Sequence, residues 1–417
     1  MSEPTIFISA GEASGEHYGA LLIEELERQL AAAGQTARFV GMGGTRMVDA
    51  GLKRVVRSED MAVMGITEVV RHLPRIYREF RRLKAGIRAQ RPDIAVLIDF
   101  PDIHFRLAAE FHRLGVPVIF FVSPQLWAWK KKRIKLVQQY VDRMLVIFPF
   151  EEPFYREHGV AAEFVGHPLA DLPLPATTRE HFARENGLDS SACWIGILPG
   201  SRAKEIRDNL PEMMAAARIL ASDRASREPK TPGRQGRLEF VIPLASTLNA
   251  RQRKMVQALV KEHSAGLAVG LVEDARAALL HARASIVASG TATVEAALIG
   301  NPFVVVYRVS PVTYAIAKQV VKVPHVAMAN LIAGKEVVPE LIQNDFTASN
   351  IVEQMAPLLP DGAPRESMKK ELARIRSLLA PRRDVHGEEV GTAISRVAAI
   401  TLKQLGAASP VAESVQS

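Results

Sequence analysis

Residues 194–206, Trp-Ile-Gly-Ile-Leu-Pro-Gly-Ser-Arg-Ala-Lys-Glu-Ile, put Gly200, Ser201 and Arg202 between a short apolar run and an amphipathic pattern (Ile206, Leu210, Met213, Met214, Ile219). A helix starting at such a turn leaves its first N–H groups unpaired, which favours an anion, and a guanidinium adds a charged donor fork. Residues 288–297 repeat the layout, with Ser289, Gly290, Thr291 and Thr293 at a helix start. Glu295, one turn on, can accept from ribose hydroxyls. Each alone could be an ordinary strand-to-helix turn with a solvated arginine, or a helix capped by Ser or Thr. Two in the same half of the chain, one carrying Arg202, favour a nucleotide diphosphate.

A third copy of the layout runs from Thr5 to Gly19. Its glycines at 11, 15 and 19 do not fit the dinucleotide fingerprint, which disfavours nicotinamide and flavin. Strand patterns follow at 37–41, 94–98, 116–122 and 143–148, with a helix after Pro74. Beyond a linker at 171–179 come strands at 194–198, 238–242, 267–272, 284–288 and 302–307. The alternation predicts α/β architecture with two Rossmann-like, doubly wound domains facing a central cleft. The boundaries expected are 1–172, 180–346, helices over 347–403 packing back on the N-terminal domain, and a disordered tail over 404–417. The polar stretch 222–237 reads as a mobile surface insertion. Ligands in such sheets bind beyond the carboxyl ends of the strands, where Asp99 lies. The plainer role for Asp99 is to cap a helix starting near Ile103.

A chain of 417 residues suits two domains, and 48% hydrophobic with 24% charged residues excludes a disordered class. The strongest apolar run, 116–122, is strand-sized, and the N-terminus lacks a signal-peptide pattern. Cys193 is the only cysteine, so no intrachain disulfide forms and a reducing cytosol fits. No histidines or acids show metal-site spacing. The net charge of +8 favours an anionic partner.

Part of that charge is concentrated. Residues 71–91 carry Arg71, Arg75, Arg78, Arg81, Arg82, Lys84, Arg88 and Arg91 around a stripe of Ile76, Phe80, Leu83 and Ile87. Upstream, Met61, Val63, Met64, Ile66, Val69 and Val70 form an apolar connecting flap, and Trp127 to Lys135, with Trp129, is a second basic-aromatic stretch. A basic amphipathic helix beside an apolar flap suits an anionic membrane surface. A core stripe with a solvated charged face is the simpler account. No recognised nucleic-acid fold accompanies the charge, so a nucleic-acid partner is not expected.

Six segments, taken in order, carry a family resemblance: Gly11-Glu-Ala-Ser-Gly15, Ser123-Pro-Gln-Leu-Trp-Ala-Trp129, Val165-Gly-His-Pro168, Leu198-Pro-Gly-Ser-Arg202, Ser289-Gly-Thr-Ala-Thr-Val-Glu295 and Asn330-Leu-Ile-Ala-Gly334. Together they resemble the lipid-A-disaccharide synthases. The resemblance implies a GT-B fold and a metal-independent, inverting transfer needing no cofactor. It implies UDP-2,3-diacylglucosamine and 2,3-diacylglucosamine 1-phosphate (lipid X) as substrates, at the cytoplasmic face of a Gram-negative inner membrane. A homodimer through the C-terminal helices stays open. On this reading Arg202 stabilises the leaving diphosphate, and Glu295 and Asn330 hold the nucleotide. Asp99 is the chosen base, with Glu12, Glu16, His17 and Asp102 as competitors and Ser14 on the acceptor side. Glu16 and Ala329 stand where the family usually has Asp and Pro. A UDP-sugar 2-epimerase of the same fold and a non-catalytic nucleotide-binding protein are the rival readings.

Overall fold

The computed structural model describes all residues except 1–2, 62–65, 129–130, 228–236, 246, 311–313, 315–322, 381–390 and 409–417. The chain divides into two compact units, Met1–Asp171 with Leu379–Ser417, and Leu172–Leu378. Each is built on a parallel sheet whose strands read as apolar runs because helices cover both faces.

In the first unit the described strands are β1 (Thr5–Ala10), β2 (Arg38–Gly43), β3 (Lys53–Arg57), β4 (Ile94–Ile98), β5 (Val118–Phe121), β6 (Arg143–Val146) and β7 (Ala162–Phe164). They are ordered β3-β2-β1-β4-β5-β6-β7. Alternate side chains feed two cores: Ile6, Ile8, Val96 and Ile98 on one face, Phe7, Ala95, Leu97 and Phe120 on the other. The second unit holds β8 (Cys193–Leu198), β9 (Leu238–Pro243), β10 (Ala268–Val272), β11 (Ala284–Ala288), β12 (Phe303–Tyr307) and β13 (Glu340–Ile342). Their order is β10-β9-β8-β11-β12-β13. In both sheets the winding reverses beside the first strand, between β1 and β4 and between β8 and β11. Those are the places where doubly wound sheets take ligands.

Several boundaries differ from expectation. The helix placed after Pro74 spans Ile66–Gln90 with Pro74 inside it. Pro74 is exposed, and the helix runs through it although a proline leaves one carbonyl without its helical donor. Part of the supposed connecting flap is therefore helix. Residues 222–227, assigned to a surface insertion, continue the helix Ala203–Arg227, and 228–236 lie outside the described residues.

The C-terminal helices do not act together. Ala348–Met355 and Ala363–Leu379 lie, apart from Leu379, in the second unit, where Arg283 donates to Leu359 O and Lys335 pairs with Glu371. Only Ala393–Ala408 belongs wholly to the first unit. Its Ile394, Val397, Ala398 and Leu405 enter the core beside Leu22, Ile23 and Leu26 of the helix Ala13–Ala32, and Asp171 accepts the Ala393 N–H at 2.7 Å. These apolar residues, which could have faced a second copy, are spent within their own unit. Residues 404–408 of the expected disordered tail are helical, and 409–417 lie outside the described residues.

Candidate functional site

In the first unit Ala10 of β1 pairs with Ile98 of β4, so the residues following the two strands leave the sheet side by side. Glu12 precedes the helix Ala13–Ala32 without a side-chain cap bond. Asp99 and Phe100 are consecutive left-handed residues, with φ of 52° and 53°. For non-glycine residues this costs of order 1–3 kcal/mol each and is characteristic of functional strand ends. Val122, after β5, is a β-branched residue at φ 63° and carries the same kind of strain. The helix after β4 begins at Pro101, with Phe100 as N-cap and no side-chain cap, so Asp99 does not cap a helix near Ile103. The Asp99 carboxyl is instead raised to about 6, first by burial and then by Glu12, against a lowering bond from the Phe100 N–H.

Two of the other candidate bases are engaged elsewhere. Glu16 accepts the Arg46 N–H at 3.0 Å and packs where a side chain on Gly44 would stand. Asp102 is exposed and paired with Arg133 at 2.5 Å. His17 is half-buried, its pKa lowered by burial and then by Arg46, and Ser14 is exposed on the first turn of its helix. Of the acidic and basic candidates, Glu12 is the one that acts on Asp99.

In the second unit the turn after β8 takes Gly200 to φ 121°. Glu205, on the helix Ala203–Arg227, accepts the N–H groups of Ser201 (3.3 Å) and Arg202 (3.4 Å) and the Arg202 guanidinium (3.0 Å). A carboxylate thus occupies the donors expected for an anion. Asn209, almost fully buried, donates to Pro199 O at 2.9 Å and fixes the turn from behind. Tyr307, ending β12, feels both Glu205 and Arg202, although burial is the main reason its phenol is shifted up. Glu205, Asn209 and Tyr307 were not singled out from sequence. Only Glu205 had a local signal, its capping-box spacing from Arg202.

Beyond β11, Gly290 is the N-cap of Thr291–Ile299 with no side-chain cap, so hydroxyl capping is not what the Ser/Thr cluster does. Ser289, Gly290 and Thr291 are at least partly exposed. Thr293 is fully buried and its hydroxyl donates to Gly290 O at 2.7 Å, which removes it from the ligand-contact set. Glu295 is half-buried, its pKa raised by burial, with Arg276 and Asp274 nearby. Asn330 is also corrected. It is fully buried, donates to Val338 O (2.9 Å) and Glu340 (2.8 Å), and accepts the N–H groups of Val337 (2.7 Å) and Val338 (2.9 Å). An amide so satisfied has nothing left for a nucleotide and serves to hold its loop.

The expected membrane-facing set divides as well. Met61 is in the core with Leu83 and Ile87. Val63, Met64 and Trp129 lie outside the described residues, as do the side chains of Ile66, Val69 and Val70. The stripe of Ile76, Phe80, Leu83 and Ile87 packs inward. Arg78, Arg81 and Arg82 are exposed, with Arg78 and Arg82 near the buried Glu79 at 3.3 and 3.5 Å. Trp127 is half-buried, donates to Glu151 at 3.2 Å and stands edge-on to Phe150. Among the described residues no helix is long and apolar enough to cross a membrane.

Solved structures of similar fold include the UDP-GlcNAc 2-epimerase from Neisseria meningitidis bound to UDP-GlcNAc (15% identity, TM-score 0.59, covering 97% of this chain and 100% of that one). The calicheamicin glycosyltransferase CalG4 is another (17%, TM-score 0.57, 98% and 100%). Both agree with a GT-B fold of two Rossmann-like domains. The lipid-A-disaccharide synthase of Acidobacterium capsulatum is 59% identical over 91% of this chain and 92% of its own. That of Koribacter versatilis is 48% identical over 90% and 93%. With the lipid-A-disaccharide synthetase family model also matching residues 6–390, the chain belongs to that family.

Proposed function

We propose that the chain is an inverting glycosyltransferase that joins UDP-2,3-diacylglucosamine to 2,3-diacylglucosamine 1-phosphate in a β-1,6 bond and releases UDP. The acceptor's primary hydroxyl oxygen attacks the anomeric carbon from the side opposite the diphosphate. The bond from that carbon to the diphosphate oxygen breaks, and the hydroxyl proton passes to Asp99. A carboxyl raised to about 6 remains largely ionised near neutral pH and is a stronger base than an ordinary carboxylate. Arg202 and the first N–H groups of the helices starting at Ala203 and Thr291 take up the charge of departing UDP. The observation that carries this reading is Asp99, held in a left-handed turn at the end of β4, where the winding of the first sheet reverses.

The decisive experiment supplies both lipids and follows disaccharide and UDP. An arm with UDP-GlcNAc alone tests the epimerase alternative, and nucleotide binding with no product in either arm would leave a binding protein. Work on lipid substrates at the cytoplasmic face of the inner membrane is supported by the exposed arginines of Ile66–Gln90, each worth about 1 kcal/mol near an anionic surface.

A further inference from the structure

We propose that Ser9 and His104 act as a positioning pair that fixes the Asp99–Phe100 turn and hence the place of the Asp99 carboxylate. The inference rests on the reading of Asp99 as the base. His104, on the helix Pro101–Arg113, is fully buried between Ser9 Oγ, 2.8 Å from Nε2, and the Asp99 carbonyl oxygen, 2.5 Å from Nδ1. Burial pushes its pKa down to about 4, so at neutral pH the ring holds one proton. A carbonyl can only accept, which puts that proton on Nδ1. Nε2 must then accept from the Ser9 hydroxyl. The side chains resemble a Ser-His-Asp set, but the histidine meets the aspartate's main chain and Ser9 has no exposure, so no nucleophile is built.

The same turn is held from two further sides. Phe100 stands edge-on to His104 at 5.8 Å and covers Gly11 so closely that a Cβ there would lie 2.3 Å from the ring. Glycine at 11 therefore admits Phe100, and the next residue in the chain is Glu12. Pro101 disfavours a right-handed helical conformation at Phe100. Together these contacts support two consecutive left-handed residues, of which Asp99 is of a type that tolerates this backbone and Phe100 is not.

The test uses the full chain and two substitutions at one position. An asparagine amide nitrogen falls where the His104 Nδ1 stands and can still donate to Asp99, whereas a glutamine amide nitrogen reaches the Nε2 position and meets Ser9. H104N is therefore expected to keep most of kcat. H104Q should lose about 10–100-fold in kcat with the KM for the UDP-sugar little changed, as expected of a misplaced catalytic group. The 13C titration of the Asp99 carboxyl should move in H104Q and stay in H104N. Equal turnover per folded molecule in the two variants, with that titration unmoved, overturns the proposal. If neither variant folds, Ser9→Ala, which deletes one oxygen, should show a smaller kcat loss with the same titration shift, and an unchanged kcat and titration would overturn it. Asp99→Asn separates the two ideas. Normal turnover there removes the base assignment, while the Asp99 titration in H104Q against H104N still tests the positioning.

Discussion

Glu205 holds Arg202 twice, accepting both its main-chain N–H and its guanidinium, and so occupies with its own carboxylate the donors that a diphosphate would use. More than a third of each side chain is exposed, which makes the pair weak and replaceable. The pair behaves as an internal competitor for the anion.

Glu205→Gln is accordingly expected to bind UDP several-fold more tightly than the parent, by calorimetry at low salt. Arg202→Ala should keep the fold and lose most transfer. Arg202→Lys should recover only part, because an ammonium lacks the bidentate fork. Weaker UDP binding in Glu205→Gln would instead make Glu205 a ligand contact.

Asp99→Asn should lower turnover by about 10²–10⁴-fold while UDP affinity changes little. The base works only when ionised, so kcat/KM should fall with one proton below about pH 6. Glu12 is the second cause of the raised value, after burial, so Glu12→Gln should move that acid limb to lower pH. An unmoved limb would show that Glu12 does not act on the base.

For membrane association, Arg81 is the cleanest single probe, since Arg78 and Arg82 are engaged with Glu79. Arg81→Glu should reduce sedimentation with anionic vesicles and leave turnover of a short-chain, water-soluble substrate near normal. Charge reversal at Arg78, Arg81 and Arg82 together should do so more strongly. Vesicle binding that is indifferent to all three would make this a merely solvated face.

Glu151 gives a stability test. It is fully buried and accepts the Trp127 indole N–H and the Phe148 N–H, and burial raises its carboxyl from 4.5 to about 8. Between those values the folded chain binds a proton that the unfolded chain has lost, so this group's contribution to stability falls as pH rises through the window. Glu151→Gln, whatever its absolute Tm, should lose less Tm between pH 5 and pH 8. A decline as steep as the parent's would show that Glu151 ionises freely in the fold.

The long apolar strands and the glycine turns after them were legible because a strand covered on both faces and a helix start both leave local patterns in sequence. β3, β7 and β13 were missed; β7 and β13 have three residues each, too few for a periodicity. Asp99 could be placed at a strand end, but its left-handed backbone could not be foreseen, because it depends on His104, Gly11 and Phe100 meeting in space. Asn330 shows the opposite limit. Its motif was visible, but its burial depends on Glu340 and Val338, and a motif alone does not separate a ligand contact from a residue that holds a loop.

The return of Ala393–Ala408 to the helix Ala13–Ala32 also orders events on the ribosome. The first unit cannot complete its core until residues 172–378 have been made, which takes about 10–40 s at bacterial elongation rates. For that interval the nascent first unit carries an open apolar groove along its first helix, a natural binding site for a chaperone. A chain released by a nonsense codon before residue 393 would lack the segment that fills the groove and keep it exposed.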